Sequence, residues 1–230
     1  MFLKFINHFK SVYCSYDRAQ EIKFIISCLK GYSKESRIVD YGCGKGRVLA
    51  HLSLLGFKRI IGVDINNNNV SKLTSEGYQV FHSTQYPASL AKEADVILLI
   101  HLVEHMKPDQ ILDLISVHLS ASKIVIITPL LIKEFFDDPD HVRPYTPNSL
   151  RTLLQDKNSQ IARNLDEPFT LLSCNHKISP LRVNSYSSNP IRHYLNGFIN
   201  AFFFFLYIIS FKVLSRKTAY MMNFAKGKSL

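Results

Sequence analysis

Acidic residues are missing from the last part of the chain. None of the 18 Asp and Glu residues in the 230-residue sequence lies between Phe169 and Leu230, although Lys and Arg continue throughout that stretch. The whole chain has 28 basic side chains and a net charge of +10. Such a basic segment suits an anionic membrane surface, a nucleic acid or an acidic substrate. The simplest alternative is that the charge serves solubility alone.

Cysteine is scarce, and its spacing includes no C-x-x-C pair. The four residues are Cys14, Cys28, Cys43 and Cys174. This scatter argues against a disulfide or zinc framework and favours a reducing compartment, so we expect a cytoplasmic protein. The first ten residues, MFLKFINHFK, are basic and amphipathic and have no small-residue cleavage site. They predict a helix and not a signal peptide.

The most hydrophobic run is short for a membrane span. From Phe198 to Phe211 only Asn200 and Ser210 are polar, whereas crossing a bilayer takes about 20 apolar residues. Three cations follow at once, at Lys212, Arg216 and Lys217. A helix that lies in the membrane interface fits this pattern. A buried helix, packed on a sheet or at a dimer interface, is the alternative.

The sequence does contain a regular alternation of β-rich and helical segments. Nearly continuous apolar runs, typical of strands buried on both faces, occur at 37–42, 59–64, 78–82, 95–100 and 123–129. Helical spacing fits between them at 46–55, 67–76 and 108–120. A helix near 147–156 and strands near 169–177 and 218–225 follow. This order predicts an α/β fold whose sheet is covered by helices on both faces.

Two regions are expected along the chain. Apolar helical spacing before the first strand predicts N-terminal helices over residues 1–35. The α/β domain then occupies residues 36–230, with an apolar helical insertion at about 190–216. Peripheral contact with the inner membrane face is expected through residues 197–214.

A glycine-rich loop, VDYGCGKGRVL, follows the first predicted strand. Gly42, Gly44 and Gly46 allow a tight turn and let a ligand lie against the backbone. The dinucleotide pattern G-x-G-x-x-G would need glycine where this chain has Arg47. Asp40 precedes the glycines, and a carboxylate there repels a pyrophosphate but attracts an ammonium or sulfonium group.

Asp64 ends the second predicted strand, where a carboxylate can accept hydrogen bonds from both hydroxyls of a ribose. Together with Asp40 and the three glycines, it resembles the class I S-adenosylmethionine-dependent methyltransferases (type 11/12-like) over residues 36–156. The resemblance implies a Rossmann-like, seven-stranded methyltransferase sheet and S-adenosylmethionine as cofactor. It implies Asp40 near the methionine amino group, Gly42, Gly44 and Gly46 in the cofactor loop, and Asp64 on the ribose.

One feature of that family is missing. Its members often carry an acidic residue after the third strand, near the adenine, but here FHSTQYP offers only Ser83, Thr84 and Gln85. No side chain of that stretch is therefore an expected adenine contact. A separate alternative to the enzyme is a binding or scaffold protein that keeps the fold without catalysing methyl transfer. The intact Asp40, glycine loop and Asp64 favour the enzyme.

The stretch IHLVEHM ends the fourth predicted strand, at the sheet edge that faces the cofactor's methyl group in this fold. In a helical turn, His101, Glu104 and His105 would lie at i, i+3 and i+4 and share one face. We place His101 among the cofactor-binding residues. After the fifth strand, FFDDPDHVRPYTPNSL brings His141 to the same edge. Two polar clusters are thus expected over one cleft.

Three interpretations of these clusters stay open. In the first, His101, Glu104, His105 and His141 bind a divalent metal that holds a substrate oxygen. In the second, His105 or His141 is a general base for a hydroxyl, with Glu104 as a further catalytic residue. In the third, Glu104 and His105 only cap and orient the following helix.

The metal interpretation resembles two methyltransferase groups with an E-x-x-E-H motif and a later histidine. They are the ubiquinone-biosynthesis O-methyltransferases and the small-RNA 3′-terminal 2′-O-methyltransferases, in which the motif is associated with metal binding. This sequence reads H-x-x-E-H, so that His101 replaces the first glutamate. That replacement disfavours magnesium and favours a softer ion or no ion.

Arg143 and Tyr145 are the predicted substrate contacts. Arg143 suits an anionic group such as a phosphate or carboxylate, and Pro144 and Pro147 stiffen the loop. A polar surface loop without a role in binding is the alternative.

The sequence thus predicts an S-adenosylmethionine-dependent methyltransferase that acts on an oxygen of a small or lipid-linked acceptor, such as a prenyl quinone precursor or a glycan lipid. An RNA 2′-O-methyltransferase is the second candidate, supported by the positive charge and by the resemblance around His105 and His141. Against it, the sequence shows no clear platform of aromatic and basic residues for single strands.

Overall fold

A seven-stranded sheet organises the chain. The computed structural model describes residues 18–118, 120–155, 168–181, 183, 189–210, 212 and 214–226. The helix predicted for MFLKFINHFK lies outside these residues. In the described part of the chain, no helix combines the length and the hydropathy that crossing a bilayer requires.

The secondary structure follows the predicted order. The strands are β1 (Arg37–Tyr41), β2 (Arg59–Asp64), β3 (Val80–His82), β4 (Val96–Ile100), β5 (Lys123–Pro129), β6 (Phe169–Pro180) and β7 (Ser215–Lys226). The helices are α1 over 18–28, α2 (Arg47–Leu54), α3 (Asn67–Ser75), α4 (Ala88–Lys92), α5 (Pro108–Ser116), α6 (Pro147–Gln155) and α7 (Pro190–Ile209). Short 3-10 turns lie at Ser83–Gln85, Val103–His105 and Lys133–Asp137.

The strands are arranged in the order β3-β2-β1-β4-β5-β7-β6. The four neighbouring pairs from β3 to β5 are parallel, and the sheet as a whole is mixed. The predicted α/β, Rossmann-like sheet is confirmed. From β1 the chain continues through β2 to β3 on one side of β1, and β4 lies on the other side. The order of the strands therefore reverses between β1 and β4. Ligands bind at such a switch point, beyond the carboxyl ends of the strands.

The core explains why the strands are so apolar. Every residue of β4 is buried, and so are the five central residues of β5. Ile97 and Leu99 of β4 pack in one cluster with buried residues of β5, α5 and α6. A separate cluster joins α2 and α3 to the loop after β1 through Cys43, Leu49 and Leu73. This rigid interior fixes where each strand ends, and hence where the polar residues after it lie.

The chain divides into two compact units. One comprises Phe24–Asn175 and Tyr220–Leu230 and contains β1 to β5 with α2 to α6. The other comprises Met1–Lys23 and His176–Ala219 and contains α7. The expected split into residues 1–35 and 36–230 stays a prediction, because residues 1–17 are outside the described part. The apolar helix itself ends at Ile209, earlier than the predicted segment 197–214.

Candidate active site

Four adjacent parallel strands bring the predicted site residues to one edge of the sheet. Asp40 is in register with Gly62 of β2 and Leu98 of β4, and Ile100 at the end of β4 is in register with Ile127 of β5. Parallel strands end on the same side. The loop after β1, the end of β2 and the segments after β4 and β5 therefore share this edge.

Asp40 is a buried carboxylate without a full set of partners. It is 2% exposed, and its Oδ2 atom has no hydrogen bond within the described part of the chain. Burial raises the pKa of Asp40 to about 7, the Arg47 charge lowers it, and the Asp64 charge raises it. An unpaired buried carboxylate is costly. A cationic group bound here would supply the missing partner.

The three glycines of the loop are all left-handed, but they differ in what surrounds them. Gly42, Gly44 and Gly46 have φ angles of 79°, 53° and 75°. A Cβ atom on Gly44 would meet nothing within 4 Å, so this backbone is open to a ligand. A Cβ atom on Gly46 would collide with Leu73, so Gly46 is required for the packing of α2 against α3. Gly44 thus offers the clearest place for close approach of a cofactor.

Asp64 holds the glycine loop in place. Its Oδ2 accepts a hydrogen bond from Gly44 N at 2.6 Å, and its Oδ1 accepts from Asn66 N at 2.8 Å and Asn69 Nδ2 at 3.3 Å. The side chain is largely buried. Each carboxylate oxygen has more than one acceptor position, so these bonds are compatible with the predicted contact to a ribose.

The predicted helical face of His101, Glu104 and His105 does not form. His101 has a φ angle of 53°, and only Val103–His105 form a single 3-10 turn. The left-handed residue turns the chain at the end of β4, where His101 N donates to Ile127 O at 2.7 Å. The side chains still meet, since His101 Nδ1 lies 3.5 Å from Glu104 Oε1. Strained backbone of this kind clusters at functional sites.

Glu104 connects three segments of the site. Its side chain is 1% exposed, and its Oε2 accepts a hydrogen bond from the Thr128 hydroxyl at 3.1 Å. Its backbone carbonyl accepts from Val142 N at 2.8 Å and Arg143 N at 3.1 Å. The turn after β4 is thereby tied to β5 and to the loop that carries His141. The sequence analysis did not predict a role for Thr128. Its hydroxyl near the end of the buried strand KIVIITP is the feature that could have indicated one.

His105 and His141 are oriented in the same way. His105 Nδ1 donates to Asp140 O at 3.0 Å, and His141 Nδ1 donates to Phe135 O at 2.6 Å. A carbonyl oxygen only accepts, so the proton of each neutral ring is on Nδ1, and Nε2 carries the lone pair. The two ring centroids are 4.9 Å apart.

The environments of the two Nε2 atoms differ. His141 Nε2 lies 3.7 Å from the Asp138 carboxylate. For His105 Nε2, the described residues provide no hydrogen-bond partner. A lone pair without a partner is what a general base or a metal ligand needs.

The segments after β4 and β5 together include a group that could hold a metal. Glu104, His105 and His141 each offer a ligand atom, and these atoms lie within 4.8 Å of one another. Bonds of about 2.0–2.2 Å to one ion require donor atoms that lie this close together or closer. The group does not include His101, the fourth predicted ligand, among the residues that the structure describes.

The predicted substrate contacts have different surroundings. Arg143 is exposed, and its guanidinium lies 5.4 Å from the centroid of the Tyr145 ring. Tyr145 is 2% exposed, and its hydroxyl donates to Met106 O at 2.9 Å. Burial raises the pKa of Tyr145, and the Arg143 charge lowers it. The Tyr145 ring is shielded from solvent, so that a direct substrate contact stays a prediction only for the exposed Arg143.

The sheet order, the glycine loop with an unpaired carboxylate and the strand-end Asp64 define an α/β domain that binds S-adenosylmethionine. The sequence model of the methyltransferase domain family matches residues 15–164, so the chain belongs to that family and is a class I S-adenosylmethionine-dependent methyltransferase. Among curated proteins, none is similar enough to match the chain.

Solved structures share the fold. An S-adenosylmethionine-dependent methyltransferase of Archaeoglobus fulgidus has a TM-score of 0.56 and 23% identity, over 92% of this chain and 94% of that one. The magnesium protoporphyrin IX methyltransferase of Synechocystis PCC 6803, with bound S-adenosylmethionine, has a TM-score of 0.55 and 14% identity, over 94% and 82%. The methyltransferase domain of bacterial CtHen1-CN has a TM-score of 0.57 and 14% identity, over 91% and 99%. At these identities the likeness concerns the fold alone.

Proposed function

We propose that the protein transfers a methyl group to an oxygen atom of a small or lipid-linked acceptor, with His105 as the general base. The observation that carries this proposal is the fixed tautomer of His105. Its Nδ1–H is held by Asp140 O, so a lone pair on Nε2 is available at the sheet edge where ligands bind. A hydroxyl acceptor needs a base at that place, and a well-positioned imidazole is sufficient.

His105 suits this role better than His141. The Asp138 carboxylate lies 3.7 Å from His141 Nε2, so that this nitrogen faces a side chain of the protein itself. Glu104 and Thr128 fix the turn that carries His105. We therefore assign Glu104 a positioning role and His141 a role beside the acceptor.

The chemical groups of the site suit S-adenosylmethionine. Asp40 presents an unpaired buried oxygen to an amino group, and Gly44 leaves open space above its backbone. Asp64 holds the loop and has acceptor capacity left for ribose hydroxyls. When bound, S-adenosylmethionine supplies an electrophilic methyl group. The protein's part is to orient the cofactor, to receive the acceptor proton at His105 Nε2, and to hold the two in line.

The acceptor class is proposed from the charges and the apolar helix. Arg143 is exposed beside the histidines and can bind a phosphate or carboxylate of the acceptor. A hydrophobic α7 with exposed side chains favours an acceptor that is itself lipid-linked. A cytoplasmic location with peripheral contact at the inner membrane face belongs to the same proposal.

A metal-assisted reaction is the second candidate, because Glu104, His105 and His141 offer ligand atoms within 4.8 Å of one another. A divalent ion held there would bind the acceptor oxygen and lower its pKa. In that case the same three residues are ligands, and His105 is not a base. Neutral Nε2 atoms with Nδ1–H groups bound to carbonyls are typical of histidine ligands.

Label transfer tests the acceptor class. The purified protein is incubated with methyl-labelled S-adenosylmethionine and an extract of its host, and the extract is separated into lipid, RNA and small polar fractions. We expect label in the lipid or small polar fraction, and much less of it with the Asp40→Asn variant at the same low concentration of cofactor. Label that nuclease releases from RNA would replace the proposal with an RNA 2′-O-methyltransferase. Cofactor binding without label in any fraction would indicate a non-catalytic binding protein.

A further inference from the structure

α7 has two faces that differ in their surroundings. On one face, Phe204 and Tyr207 are buried, with exposed fractions of 7% and 1%. Asn200 on the same face accepts from Val183 N at 2.8 Å and donates to Val183 O at 3.0 Å. The polar residue in the hydrophobic run is therefore paired inside its own unit. We call this side the inner face of α7.

The opposite face is an exposed apolar stripe. Six side chains make up this outer stripe, each more than half exposed: Ile191, Leu195, Phe198, Phe202, Phe205 and Ile209. Their spacing alternates between four and three residues. At about 100° per residue they fall within an arc of roughly 80°, opposite Asn200, Phe204 and Tyr207. Soluble proteins seldom leave such a continuous apolar surface in water.

The charges close to α7 in the sequence are of one sign. Arg192 near the start of α7, Lys212 just beyond its end and Lys217 in β7 are exposed. No Asp or Glu occurs anywhere from Phe169 to Leu230. A second copy would bring the same cations against these and supply no acidic partner from this segment. An anionic surface would supply the opposite charge to all of them.

We propose that the outer stripe of α7 docks on the surface of an anionic lipid bilayer. The helix lies in the plane of the interface, with its aromatic side chains among the acyl chains and its flanking cations among the headgroups. Arg192 lies in the first turn of this 20-residue helix and Lys212 lies just beyond its end, where an interfacial helix can use cationic side chains as anchors. The surface belongs to the unit that contains α7. This docking specifies the membrane contact that the proposed function includes, and it is measured without the methyl-transfer reaction, so that either can fail alone.

Vesicle sedimentation of the full chain tests this docking. The vesicles are of phosphatidylcholine alone, or of phosphatidylcholine with phosphatidylglycerol. We expect binding to the anionic vesicles to be at least roughly tenfold tighter, and to weaken with salt, because each cation near the surface favours it. Equal binding to both vesicle types, or no binding to either, would overturn the proposal.

Substitutions in the outer stripe test whether its side chains make the contact with the membrane. Phe198→Ser, Phe202→Ser and Phe205→Ser combined should weaken vesicle binding by roughly 100-fold, because three half-exposed aromatic side chains no longer enter the interface. Leu54→Ser removes an apolar side chain that is 87% exposed on α2, and it should leave binding unchanged. Cofactor affinity, measured in parallel, reports whether the triple variant is folded. A wild-type dimer that the triple variant loses, without binding to vesicles, would show that a second copy covers the outer stripe.

Discussion

Asp40→Asn should weaken the binding of S-adenosylmethionine by roughly 100-fold, since a buried charged hydrogen bond contributes about 3 kcal/mol. The substitution keeps the shape of the side chain but removes the charge that faces the amino group of the cofactor. Titration calorimetry measures the loss. Asp113→Asn, on the exposed side of α5, is the matched control, and its affinity should equal that of the wild type.

The same substitution should not destabilise the ligand-free protein. Folding raises the pKa of Asp40 from 3.8 to about 7, so the folded state binds more protons than the unfolded state between these values. The free energy of unfolding therefore falls as pH rises through this window, and the cost is complete above pH 7. Thermal unfolding at pH 8 should show Asp40→Asn to be at least as stable as the wild type. A large loss of stability would mean that Asp40 is a structural residue.

Cofactor affinity of the wild type should depend on pH for the same reason. The amino group pairs with the charged carboxylate, so affinity is full above the free-state pKa of about 7. Below it, affinity should fall by up to about tenfold per pH unit, as one proton is released on binding. An affinity that does not change between pH 5.5 and 8 would contradict the pairing of Asp40 with the cofactor.

His105→Gln should lower kcat by roughly 10²–10⁴-fold while leaving the affinity for S-adenosylmethionine unchanged, because the variant loses the base but not the cofactor site. Raising the pH should partly restore the rate if hydroxide or a deprotonated acceptor takes over. His51→Gln is the control, since His51 is exposed on α2 and its side chain bonds to Arg47 O at 2.8 Å within its own helix. It should retain full activity.

Chelation of divalent metal ions distinguishes two roles for His105, general base and metal ligand. If His105 is the base, EDTA should leave the turnover of the wild type unchanged. A rate that EDTA abolishes and a divalent ion restores would assign His105, with Glu104 and His141, to a metal site. Unchanged kcat in His105→Gln would contradict both roles and leave His105 as a residue that only orients the turn after β4.

Much of the fold could be predicted from the sequence, because the patterns that indicate it lie in short continuous stretches. The apolar runs of β4 and β5 and the glycine loop are continuous stretches whose character depends on immediate neighbours. The placement of Asp40 and Asp64 followed from the strands that carry them. The start of α6 at Pro147 also followed, since Thr146 Oγ1 accepts from Ser149 N at 3.2 Å as a capping residue should.

The arrangement after β4 could not be predicted in the same way. The helical face expected for His101, Glu104 and His105 is replaced by a left-handed residue and one 3-10 turn. Glu104 is buried because Thr128, 24 positions away, supplies a hydroxyl. Tyr145 is buried because its hydroxyl reaches Met106 O, 39 positions away. Such contacts depend on tertiary packing, which the spacing of residues along the sequence does not indicate.

The surroundings of α7 also could not be predicted from local sequence patterns. Its sequence is apolar on most sides, so periodicity left open whether the helix is buried or lies on a membrane. The pairing of Asn200 with Val183 is what distinguishes the inner face from the outer stripe.

The chemical position of the transferred methyl group tests the central claim most directly. The protein is incubated with S-adenosylmethionine that carries a ¹³C-methyl group and with the host fraction that accepts label, and the product is analysed by NMR. The carbon shift of a methyl group differs clearly between oxygen, nitrogen, sulfur and carbon. The account predicts a methyl group on oxygen, formed by the wild type and in much smaller amount by Asp40→Asn. A methyl group on nitrogen or carbon would contradict the proposal that His105 activates a hydroxyl.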